Sequence, residues 1–77
     1  SNQMLRRQAY EATLIKDWHS ASQYYNRLYM RDSTQIKLQY QYADAARLNF
    51  EIPLALHLYH KVAALDNGRR FPLTFYW

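Results

Sequence analysis

The chain has no cysteine, one glycine and two prolines among its 77 residues. Without cysteine, disulfides and thiolate metal sites are excluded as sources of stability. In so short a chain that leaves packing, or contacts with further chain or partners, to hold the fold. Scarce glycine and proline argue against a many-stranded β fold, which needs a turn signal every few residues. A lone glycine also excludes a Gly-rich phosphate-binding loop. No run of about 18 apolar residues reads as a membrane span, and no secretory signal is visible. What is present is 49% apolar and 21% charged, the balance of a folded chain rather than a disordered one. The net charge of +4 comes from cations spread along the whole length, from Arg6 to Arg70. Such a spread suits a solvated helical surface and mildly favours acidic partners.

The strongest signal is a period. Displacing the chain by 34 residues aligns Ala9 with Ala43, Ala12 with Ala46, Leu14 with Leu48, Ala21 with Ala55, Tyr25 with Tyr59 and Asp32 with Asp66. Asp17 meets Glu51, Arg27 meets Lys61 and Leu28 meets Val62 in the same frame. The matches fall on small or apolar positions, where helix packing demands them.

Each period reads as two helices. The spacing predicts the first over 3–15 and the second over 19–31, with Asp17 capping the second. Asp32-Ser33-Thr34 interrupts the pattern, and Ser33 or Thr34 is expected to cap a third helix over 35–49. Glu51-Ile52-Pro53 then opens a fourth, with the proline in the first turn where its missing N–H does no harm. That helix is expected to end near Leu65, with Asn67-Gly68 as a left-handed stop. Ala21, Tyr24, Tyr25 and Leu28 form an i, i+3, i+4, i+7 stripe, and Ala55, Leu58, Tyr59 and Val62 repeat it. Alanines mark where helices approach closely. A larger side chain there would cost roughly 1–3 kcal/mol in overpacking.

Residues that suggest catalysis or metal binding do not assemble into a site. His57 and His60 share a helix face, but two ligands without a nearby acid or thiolate do not make a zinc site. His19 stands beside Ser20 and Ser22 without the strained turn of a nucleophile. Asp17 and Glu51 read as caps one repeat apart, not as an acid–base pair. No cofactor is expected, and the chain is read as a non-enzyme.

These features resemble the tetratricopeptide repeat family, whose unit is a 34-residue helix–turn–helix. The family's mid-helix small residue is matched by Ala9 and Ala43. Its acidic-aromatic turn is matched by Asp17-Trp18 and loosely by Glu51-Ile52. Its second-helix alanine, aromatic and closing acid are matched by Ala21 and Ala55, Tyr25 and Tyr59, and Asp32 and Asp66. The chain departs from the pattern where the turn glycine is replaced by Lys16 and Phe50. It departs again where the terminal proline becomes Ser33 and Asn67, and where a large first-helix residue is Leu5 in one repeat but Gln39 in the other. The resemblance implies an all-α fold of antiparallel helix–turn–helix repeats, a TPR-like α-solenoid. The repeats would span about 2–35 and 36–69, with a partial third over 70–77.

A narrower likeness rests on the runs 17–25, 42–48 and 71–77. They resemble the repeat segments of Bacteroidetes outer-membrane-associated proteins, which often precede a β-propeller and a peptidoglycan-binding OmpA-like domain. Some of those proteins serve gliding motility or type IX secretion. This implies a periplasmic or outer-membrane-associated scaffold and a longer protein.

Carrying the family's groove positions across gives Arg6, Tyr10 and Thr13 from the first repeat and Lys37, Tyr40, Asp44 and Arg47 from the second. Such a surface suits an extended peptide or protein partner, with Arg for carboxylates and Tyr for apolar contact plus a hydrogen bond. The family's carboxylate clamp is not matched, because Tyr10 and Asp44 stand where it requires asparagine. The alternative is an RNA-binding repeat that uses its basic residues and the tyrosines Tyr10, Tyr29 and Tyr40. At the other end, Pro72 would open a fifth helix. Phe71, Leu73, Phe75, Tyr76 and Trp77 would then form an end without the polar cap of a finished solenoid. These five are expected to dock on a neighbour, self-association included, or to continue into more chain. The other reading folds them back onto the fourth helix.

Overall fold

A computed structural model describes residues 1–66. The expected stop at Asn67-Gly68, the partial third repeat and the docking residues Phe71, Leu73, Phe75, Tyr76 and Trp77 lie outside the described residues. Four helices follow one another: α1 (Asn2–Leu14), α2 (Trp18–Arg31), α3 (Ile36–Leu48) and α4 (Ile52–Asp66). Each boundary falls within one residue of its expected place. No strand is present among the described residues, and none of their helices is long and apolar enough to cross a membrane. The connections are three or four residues long, which forces each helix to run back along its predecessor. Packing is accordingly sequential, α1 on α2, α2 on α3 and α3 on α4.

The duplication extends to individual backbone hydrogen bonds. After α1, Lys16 N–H donates to the Thr13 carbonyl at 3.1 Å and Asp17 N–H to the Ala12 carbonyl at 2.9 Å. After α3, Phe50 N–H donates to Arg47 at 3.0 Å and Glu51 N–H to Ala46 at 2.8 Å. These paired bonds are a Schellman ending, which requires a left-handed residue after the helix. Lys16 and Phe50 take that conformation, with φ of 58° and 62°. They are the two residues that replace the turn glycine, so the backbone keeps the bend although the residue best suited to it is gone.

Caps follow the same frame with different side chains. Ser1 and Asp17 accept from Met4 N–H and Ser20 N–H, each at 3.2 Å. The expected cap of α3 by Ser33 or Thr34 is not found. Gln35 occupies the N-cap position without a side-chain cap bond. Asp32 instead folds back on its own loop and accepts from Thr34 N–H, Thr34 Oγ1 and Gln35 Nε2. A short acidic side chain reaches those donors first. Glu51, expected as a cap, sends Oε2 to Ser22 Oγ at 2.8 Å and Asn49 Nδ2 at 2.9 Å, tying α2 to the α3–α4 turn.

The core is small-on-large. All six alanines of the repeat frame are buried, and Ala9, Ala21, Ala43, Ala46 and Ala55 have no exposed surface. Tyr25, Leu28, Tyr42, Leu58, Tyr59 and Val62 fill the space between the axes, with Tyr24 half-buried beside them. Gln39 is the polar exception. It stands where the first repeat has Leu5, is fully buried, and donates Nε2 to the Ser33 carbonyl while its Oε1 has no partner.

Two expectations follow. Phe50 is 87% exposed, so its ring contributes little packing. A non-glycine residue in the left-handed region costs about 1–2 kcal/mol, part of which glycine gives back as unfolded-chain entropy. Phe50→Gly is therefore expected to raise the urea midpoint by the equivalent of about 0.5–1 kcal/mol; a lowered midpoint would contradict the strain. The second concerns acid. Hydrogen bonds from the Thr34 hydroxyl, then Gln35 and the Thr34 N–H, hold Asp32 at about 2 instead of 3.8. A carboxyl lowered on folding contributes stability above its unfolded value and loses it as pH falls through the folded one. The melting temperature should fall as pH drops from about 4 to about 2, and less steeply in Asp32→Asn. Equal slopes in both proteins would refute the assignment.

Candidate functional site

The family-derived groove residues come from α1 and α3, and the structure sorts them into two groups. Arg6, Tyr10 and Lys37 converge on one pocket of about 220 Å³, completed by Tyr25, Gln35, Leu38 and Gln41. The elements that build it are α1, α2, the α2–α3 loop and the start of α3. Arg6 Nη2 donates to Gln35 Oε1 at 2.9 Å, which fastens α1 to that loop. Nearby, Arg31 Nη1 donates to Asn2 Oδ1 at 2.6 Å and holds the end of α2 against the start of α1. Two cations line the pocket and no acid does. Tyr10 stands 60% exposed at its rim. Tyr25 is buried, and its hydroxyl is pushed above the ordinary phenol range, first by burial and then by the charge of Asp44.

Tyr40, Asp44 and Arg47 form the second group, and Tyr59 from α4 reaches into it. The Tyr59 hydroxyl donates to Asp44 Oδ1 and accepts from Arg47 Nε at 3.1 Å. Arg47 and Asp44 also pair at 3.7 Å, and the Tyr40 ring meets Tyr59 edge-on at 5.9 Å. Burial, then the Asp44 hydrogen bond, raise the Tyr59 hydroxyl well above the phenol range. Burial followed by Asp44 does the same, more weakly, for Tyr40. Arg47 is pushed further up, first by its Tyr59 bond. These three α3 side chains are thus tied to each other and to α4. Thr13 stands apart from both groups, its hydroxyl donating to the Tyr10 carbonyl of its own helix at 2.6 Å.

Tyr25, Gln35, Leu38 and Gln41 were absent from the sequence-derived set. Tyr25 belongs to the core, as its helical stripe predicts, and also lines the pocket. Gln41 follows Lys37 by four residues and therefore shares its helix face, a signal that periodicity could have supplied. Gln35 and Leu38 carry no such signal.

The aromatic set proposed for RNA is differently employed. Tyr29 accepts from Lys61 Nζ at 2.7 Å and packs on Tyr42 at 5.6 Å. Tyr29 and Tyr40 are half-buried because each packs against the core. His57, His60 and His19 are exposed. Among the described residues no group of three or more His, Cys, Asp or Glu could hold a metal ion. No protein-family model matches the chain, and no curated protein or solved structure matches it either.

The Tyr59 bonds give a direct test of the second group. A hydrogen bond to a charged group is worth about 1.5–3 kcal/mol. Tyr59→Phe should lower the unfolding free energy by about 1–2 kcal/mol, and the loss should shrink in an Asp44→Ala background. A double-mutant cycle by urea denaturation reads the coupling, and additive losses would show that the hydroxyl and carboxylate do not interact.

Proposed function

We propose that this chain is a protein-interaction scaffold of the tetratricopeptide type, and not an enzyme. Its α1–α3 face takes an extended acidic peptide. The observation that carries the reading is the convergence of Arg6, Lys37 and Tyr10 on one pocket without an acid in its lining. A guanidinium and an ammonium in one lining with a phenol and an apolar side chain suit a carboxylate side chain with an apolar neighbour. The repeat reading is supported by the duplicated turns, left-handed residues and buried alanines, all 34 residues apart. The cell-envelope setting, periplasmic or outer-membrane-associated, rests on the resemblance of the runs 17–25, 42–48 and 71–77. The RNA reading is less favoured, because Tyr29 and Tyr40 are committed to neighbouring side chains and leave Tyr10 as the exposed ring.

A peptide-display library panned on the immobilised chain tests the function. Selected peptides should carry Asp or Glu beside an aromatic or aliphatic residue. The double change Arg6→Glu and Lys37→Glu should weaken their binding at least tenfold while leaving helix content unchanged. Failure to select any peptide, or binding indifferent to the charge reversal, would overturn the proposal.

A further inference from the structure

A cavity of about 410 Å³ lies at the α2–α3 seam and shares no lining residue with the α1–α3 pocket. From α2 it receives His19, Ser22, Gln23, Asn26 and Arg27, whose i, i+3, i+4, i+7, i+8 spacing puts them on one helix face. Tyr42 of α3, Asn49 at its C-cap and Glu51 of the following turn complete the lining. Ser22 is 5% and Tyr42 3% exposed, so the buried part of the cavity is polar.

Hydrogen bonds fix these side chains but use only part of what they offer. Ser22 Oγ and Asn49 Nδ2 both donate to Glu51 Oε2, Asn26 Nδ2 donates to the Tyr42 hydroxyl, and Gln23 Nε2 meets His19 Nε2 at 3.1 Å. Among the described residues nothing donates to Asn26 Oδ1, Asn49 Oδ1, Gln23 Oε1 or Glu51 Oε1, and the Tyr42 proton has no acceptor. Burial raises the Tyr42 hydroxyl above the ordinary phenol range; the Asn26 bond opposes this and the Glu51 charge adds to it. The phenol therefore keeps its proton as a donor.

The chemistry of the lining narrows the ligand. One guanidinium and one carboxylate face the cavity, so it does not select an ion of either sign. The Tyr42 ring packs on Tyr29 and is buried, which leaves no phenol face for a sugar or a base to stack on. What remains is three carboxamides, Gln23, Asn26 and Asn49. Each carries an acceptor and donors on adjacent atoms, the same pairing that a peptide group presents along an extended main chain. Main-chain hydrogen bonds of this kind supply affinity without reading sequence. In the first hairpin the positions of Tyr42, Asn49 and Glu51 are held by Gln8, Ile15 and Asp17, which line a groove between α1 and α2. There Ile15 is apolar and Asp17 is taken up as the α2 cap, so the carboxamide lining is particular to the α2–α3 seam.

We propose that the α2–α3 cavity is a second binding site, one that takes the main chain of an extended, uncharged peptide segment. It complements the α1–α3 pocket, where charge would select the side chain.

Nuclear magnetic resonance on the nitrogen-15-labelled full chain tests the proposal. The probe is an end-blocked hexapeptide of alternating serine and threonine. It should shift the side-chain amide signals of Asn26 and Asn49 saturably. Asn26 is exposed, so Asn26→Ala should keep the helix content and weaken binding about fivefold, as expected for one neutral hydrogen bond. The same peptide N-methylated at every amide lacks N–H donors and should not bind. The double variant Arg6→Glu, Lys37→Glu should bind the probe as the wild type does, which separates this result from the fate of the acidic-peptide reading. The absence of a saturable shift, shifts confined to Arg6, Tyr10 and Lys37, equal binding of the N-methylated peptide, or an Asn26→Ala chain that binds unchanged would each overturn the proposal. Cellohexaose shifting these amides where the peptide does not would overturn it in favour of a saccharide site.

Discussion

Close approach of neighbouring helices at alanine is the constraint on which the remaining structure depends. Five alanines of the repeat frame have no exposed surface, so the helix axes come near enough for side chains of one helix to reach across the next. That reach lets the Tyr59 hydroxyl sit between Asp44 and Arg47, and lets Tyr42 receive the Asn26 amide. Larger residues at the seam would separate the axes before they disturbed any other contact. The aromatic rings complete the fit by filling the space that the alanines leave open.

Many polar groups of the described residues lie along the helix seams. Ser22, Glu51 and Asn49 bridge α2 to the α3–α4 turn, while Lys61 and Tyr29 join α4 to α2. Each bond satisfies a group that packing has partly removed from water. Gln39 shows the cost of this strategy. One end of its amide holds the α2–α3 loop and the other is buried without a partner. It is a polar residue placed where the first hairpin uses leucine.

The consequence for function is a division of surfaces. The α1–α3 side gathers cations and a phenol around a small pocket, and the proposed peptide recognition rests on that lining. The α1–α2 groove is an edge, left open among the described residues because α1 has a neighbour on one side only while α3 has neighbours on both. Edge exposure explains why the same repeat positions are polar in α1, at Gln8 and Glu11, and buried in α3, at Tyr42 and Ala45.

The all-helical architecture, the boundaries of four helices to within a residue, and the alanine–tyrosine core were legible in the sequence. Each depends on local spacing, which records the buried face of a helix directly. Lys16 and Phe50 were legible as departures from a turn glycine, but their left-handed backbone was not, because neither side chain favours it. The cap expected from Ser33 or Thr34 is not formed because the Thr34 hydroxyl donates to Asp32 and Gln35 takes the N-cap position, a choice made by loop geometry. Only the tertiary structure decided that Arg6, Tyr10 and Lys37 share a pocket while Tyr40, Asp44 and Arg47 are tied to Tyr59. It also decided that Tyr25 serves core and pocket together. Periodicity specifies which way a side chain faces; which residue it meets depends on the distance and register of a separate helix, and those exist only after the helices have packed.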